Sequence, residues 1–164
     1  MLDCCQSSFS RRSPMTPARP APALSLYAAD YLRWLEATAD ALKRGDYGAI
    51  DWANVIEELE DMGRRERQSL KSNLVILLLH LLKWQFQPDR QSNSWKASIV
   101  EHRQRLEDSV ETSPSLKPYL GTVLPKAYAD AVERAAAETG LPEVAFPPDC
   151  PYAVSQIMAK GFLP

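Results

Sequence analysis

Apolar residues recur along most of this chain with the three-and-four spacing of a helix, and nowhere with the alternation of a strand. Between Leu26 and Lys43, the side chains of Tyr27, Tyr31, Trp34, Leu35 and Leu42 share one face, with Thr38 as its polar member. This predicts a first helix that Gly45 stops. A second and much longer pattern begins at Asp51, whose carboxylate can accept the free N–H groups of a first turn. It continues to about Phe86, where Pro88 ends it. Projected at 100° per residue, Trp52, Ile56, Leu59, Leu70, Leu74, Leu77, Leu81 and Trp84 form one stripe. Gly63 lies in that stripe, as a bend or as a place where another helix approaches closely.

A third helix is predicted from about Trp95 to Val110, capped by Asn93 or Ser94. Its inner face is Trp95, Ile99, His102, Leu106 and Val110. Ser113-Pro114 predicts a short helical turn, and a fourth main helix is expected from near Pro125 to Gly140, with Tyr128, Ala131, Val132 and Ala135 inward. A proline-rich irregular segment follows, then a short helix over about Val154 to Lys160. The expected fold is all-α: a bundle of about four main helices around one long central helix, with a short C-terminal helix. Residues 1–23 are rich in Pro, Ser and Arg and read as a flexible tail, with translation from Met15 as an alternative start. Residues 24–164 are expected to form one domain.

Composition narrows the chemistry. Nineteen Lys and Arg stand against 21 Asp and Glu, without the basic excess a nucleic-acid binder carries, so nucleic acid is not an expected partner. Three cysteines, without a Cys-x-x-Cys spacing, argue against a disulfide framework or zinc site and for a reducing compartment, the cytoplasm. The most apolar run, Leu74 to Leu82, is too short to cross a membrane and is interrupted by His80.

Two constellations stand out. Glu66, Asn73, His80 and Gln87 recur every seven residues along one edge of the long stripe, as a polar seam beside the core. Buried there, Glu66 and His80 could act as acid–base or ligand groups, or the seam could serve only to fix helix register. One helix holds those two residues about 21 Å apart at ~1.5 Å rise per residue, so neither can assist the other directly. The second constellation is an aromatic corner: Trp84, Phe86 and Trp95 flank the loop from Gln87 to Ser94, with Lys83 and Arg90 adding positive charge. It is a binding corner or a plug at the end of the bundle. A metal site from His80, His102 and Glu57 or Glu58 is conceivable, but the Glu-x-x-His and His-Glu-x-x-His spacings are missing and neither metal nor cofactor is expected. No nucleotide-binding or nucleophile motif occurs.

The run IDWANVIEELEDMGRRERQSLKSNLVILLLHLLKWQFQPDRQSNSW resembles the core of the domain-of-unknown-function 29 family. The flanking YAADYLRWLEATADALKRG, SPSLKPYL and LPKAYADAVERAAAETGLP are similar to the same family. The resemblance implies a largely bacterial protein with an all-helical fold, and it brings no catalytic residues to transfer. On these grounds the expected function is a helical protein–protein interaction or accessory module, with a protein partner or self-association. The alternatives are a small-molecule or metal-dependent enzyme using the seam, and a nucleic-acid-linked regulator such as a toxin–antitoxin component.

Overall fold

The computed structural model describes residues 25–164. The predicted tail, the alternative start at Met15, Cys4 and Cys5 lie outside the described residues. All regular structure among those described is helical. It falls into two compact units, the first ending at Asn54 and the second running from Val55 to Pro164.

In the first unit the expected single helix is two helices, α1 (Leu26–Ala29) and α2 (Tyr31–Arg44). Asp30 causes the break. Its backbone is extended, at φ −156°, and its carboxylate accepts the Arg33 N–H at 3.1 Å, so it ends one helix and caps the next. Tyr27, Tyr31 and Trp34 still meet across the break, with the Tyr27 and Trp34 rings edge to face at 4.8 Å. Gly45, in the left-handed region at φ 73°, closes α2, where a residue with a Cβ would be strained. Asp51 caps α3 as expected, accepting the Asn54 N–H at 3.3 Å and the Asn54 side-chain amide at 2.6 Å.

Helix α3 (Trp52–Phe86) is continuous over 35 residues, and Pro88 begins a 3-10 turn, Pro88–Arg90, just beyond it. Helix α4 (Asn93–Thr112) starts earlier than expected, because Ser92 and neither Asn93 nor Ser94 is its cap. The Ser92 hydroxyl accepts the Trp95 N–H at 3.3 Å. Helix α5 (Leu116–Thr139) joins what the sequence predicts as a separate turn and helix. It runs through Pro125, which cannot donate to the carbonyl of Gly121. Both residues are exposed, so water can satisfy the freed carbonyl. Gly140, at φ 75°, ends α5. A 3-10 turn (Glu143–Ala145) and α6 (Val154–Met158) complete the chain.

The core of the second unit is built on the C-terminal half of α3. Leu70, Leu74, Leu77, Leu78, Leu81 and Leu82 are buried with Ile99 and Leu106 of α4 and Leu120, Val123, Ala127, Ala131 and Ala135 of α5. Fully burying each large aliphatic side chain contributes about 1.5–3 kcal/mol before entropy is counted. Leu78, Leu79 and Leu82, outside the predicted stripe, are buried too. This part of α3 is therefore surrounded, which is why its leucine run shows no polar face.

Candidate functional site

Along α3 the predicted stripe divides. From Leu70 to Leu81 it is buried, whereas Ile56 is 54% exposed and Leu59 63%, as is the adjacent Met62 at 58%. Trp52 is exposed as well, its indole N–H donating to the Tyr47 carbonyl at 3.2 Å. The expectation that Trp52, Ile56 and Leu59 face the core is thus overturned: the helical period sets a direction, but no described element of this chain encloses it there. Gly63 is corrected in the same way. A Cβ built on it meets nothing within 4 Å, so it admits no neighbouring helix within the chain.

Charge flanks this apolar ridge. Glu57, Glu58, Glu60 and Asp61 precede Met62, and Arg64, Arg65 and Arg67 follow Gly63. Arg64 contacts both Glu60, at 3.8 Å, and Asp61. Such pairs on an exposed helix contribute only about 0.3–0.5 kcal/mol each. Arg64, Arg65, Arg67 and Gln68, with Tyr119 of α5, line an open depression of about 590 Å³.

The polar seam disperses between neighbouring helices. Glu66 is exposed. Asn73 donates to the Ser69 carbonyl at 2.9 Å, so its oxygen faces His102 Nδ1, also at 2.9 Å. This pairing assigns the proton to His102 Nδ1. Gln87 donates to the Thr139 carbonyl at the end of α5, at 3.2 Å. His80 is partly buried, and its Nδ1 has no hydrogen-bond partner among the described residues. Burial holds the His80 pKa below the ordinary 6.5, and the Lys83 charge lowers it further. Burial lowers His102 as well, with Arg105 adding to the effect. Both imidazoles are therefore neutral at pH 7.

At the aromatic corner, Lys83 is buried rather than available as a surface charge. Its ammonium lies 2.5 Å from Glu138 and 4.4 Å from the centre of the Trp95 ring. Trp84 is half-buried, and its carbonyl accepts from the Gln91 side chain at 3.0 Å. Phe86 packs edge to face on Phe146 at 5.1 Å. Arg90 is exposed in the 3-10 turn.

One interior charge escaped the sequence reading. Arg103 of α4 is 4% exposed, donating from Nε to the Ile157 carbonyl at 2.8 Å and from Nη2 to the Phe162 carbonyl at 3.0 Å. It ties α6 and the following segment to α4. Its place four residues after Ile99 and three before Leu106 was the available signal. A cleft of about 480 Å³ beside α5 is lined by Tyr128, Val132, Glu143, Phe146 and Pro147. There the Tyr128 hydroxyl donates to the Pro147 carbonyl at 2.8 Å, and burial pushes its pKa up to about 12, so it is not a ready proton donor.

Among the described residues, no group of three or more His, Cys, Asp or Glu side chains could hold a metal ion, and no helix is long and apolar enough to cross a membrane. No curated protein and no solved structure matches the chain. The family model described as domain of unknown function DUF29 matches residues 26–163, in agreement with the resemblance carried by the α3 run, and the chain belongs to that family.

Proposed function

We propose that this chain is a helical protein–protein interaction module, with an accessory or regulatory role, whose docking surface is the N-terminal half of α3. The observation that carries this reading is the exposure of Ile56, Leu59 and Met62 on consecutive turns. Isolated exposed apolar residues are ordinary. A contiguous ridge rimmed by charge is the composition of an interface, in which apolar burial supplies affinity and flanking charges supply orientation. We place the module in the cytoplasm, where the free thiol of Cys150 suits a reducing compartment.

The test is quantitative affinity purification from the native host, with the wild-type chain and the I56E/L59E variant as baits. The wild type is expected to retain a stoichiometric partner that the variant loses. Equal recovery by both baits, or no partner on either, would end the proposal. Because both residues face solvent, the variant is expected to keep the wild-type melting temperature.

A second reading, a small-molecule site on the seam, draws on the unpartnered and buried Nδ1 of His80. A thermal-shift screen against metabolites tests it. A stabilising compound should lose its effect in His80→Gln, and stabilisation unchanged by that substitution would remove the seam from consideration.

A further inference from the structure

The chemistry of the ridge identifies a partner. On the assumption that α3 is a docking surface, we propose that its occupant is a second copy of this chain, lying antiparallel about a two-fold axis that crosses α3 near Met62 and Gly63.

The argument begins with charge. The acids Glu57, Glu58, Glu60 and Asp61 lie on the N-terminal side of Met62, and Arg64, Arg65 and Arg67 on the C-terminal side of Gly63, with Glu66 as the one acid among the arginines. A parallel pair would set acid against acid and arginine against arginine. A two-fold axis at Met62 sets Glu57 of one copy against Arg67 of the other, and Glu60 against Arg64. At 100° per residue these four side chains lie on the same flank of the helix, as an antiparallel pair requires. That flank is thus its own complement, as a closed interface between two identical chains requires, while Glu58 and Glu66 are the one like-charged pair that the axis sets opposite each other.

Shape agrees with charge. Ile56, Leu59 and Met62 supply apolar contact from each copy. Gly63, where an added Cβ would meet nothing within 4 Å, sits beside the axis, where the two backbones come closest. The in-chain ion pair between Arg64 and Glu60 is 3.8 Å long and exposed, so it can exchange for one between copies.

Sedimentation equilibrium of the full chain tests this, at low salt and again at ~1 M salt, where the screening length shrinks to about 3 Å. The wild type is expected to dimerise and to weaken with added salt. E57R/E60R and R64E/R67E should each dimerise about tenfold or more weakly, because like charges then meet. An equimolar mixture of the two variants should recover a one-to-one dimer. With the native cysteines changed to serine, Met62→Cys should form a cross-linked dimer on oxidation and Ile56→Cys should not, since the two copies of residue 56 would be about 18 Å apart along the axis. A wild type that remains monomeric at ~200 µM, far above the micromolar range of ordinary specific complexes, overturns the proposal. If that monomer still captures a different protein through Ile56 and Leu59, the docking surface stands and only the identity of its occupant falls. Capture of nothing removes both.

Discussion

The two halves of α3 follow the same rule in sequence and meet different ends in space. In the C-terminal half, Leu70, Leu74, Leu77 and Leu81 lie under α4 and α5 at 0–2% exposure. In the N-terminal half, Ile56, Leu59 and Met62 are more than half exposed. One amphipathic period runs through both. A period records which direction a side chain takes, and burial also requires something to lie in that direction. The half that is covered holds the fold together, and the half that is open is the part of α3 free to meet another molecule.

The sharpest way to break this contrast is truncation at matched positions. Leu77→Ala should destabilise the chain by about 2–5 kcal/mol, because the lost transfer energy and the cavity add. Leu59→Ala should cost less than about 0.5 kcal/mol in the monomer. Urea unfolding of both at low protein concentration measures the difference, and equal costs would show that the N-terminal half is packed after all. A clasp on the covered side gives the next largest effect. Arg103→Met strands the carbonyls of Ile157 and Phe162, at about 1.5–3 kcal/mol for a charged hydrogen bond. Amide exchange over residues 157–163 should accelerate before that of α3. Unchanged protection there would show that the clasp is dispensable.

On the open side, Gly63→Ala should stabilise the monomer by roughly 0.8–1 kcal/mol through helix propensity, since its new methyl group meets no atom of the chain. The same methyl should weaken self-association, so the melting temperature and the dimerisation constant should move in opposite senses. A fall in the monomer's melting temperature would mean that Gly63 has a close neighbour.

The smallest effect is on pH. Burial, with Lys83 near His80 and Arg105 near His102, holds both native pKa values below the unfolded-chain value of 6.5. As the pH falls past about 6.5 the unfolded chain takes up protons that the native chain resists, so stability rises with pH across this window. It is complete above the unfolded value, is lost as the pH falls toward the lower native values, and levels off beneath them. Urea midpoints between about pH 7.5 and 5 should show this slope, and His80→Gln with His102→Gln should flatten it. An unchanged slope in the double variant would assign it to other groups.

Local signals were legible where a residue's role depends on its immediate neighbours. Asp51 as a cap, Pro88 as a stop and Gly45 and Gly140 as left-handed ends follow from groups within a few residues. At Asp30 a capping carboxylate outcompetes a continuous apolar face. At Pro125 the helix runs on, because a proline whose freed carbonyl is exposed need not begin a helix. Neither the burial of Lys83 between Glu138 and Trp95 nor the pairing of Asn73 with His102 could be read in advance. Their partners lie 55 and 29 residues away.

The helical class, the continuity of α3 and the acidic run that precedes most of its arginines were all legible in the chain, because each depends on periodicity, capping or the bare order of residues. Only the tertiary structure decided which stretch of the stripe is enclosed. It also sent the seam's polar atoms to separate helices rather than into one pocket. The physical reason is that burial and hydrogen bonding are properties of pairs of surfaces, and a helical period specifies only one surface of each pair.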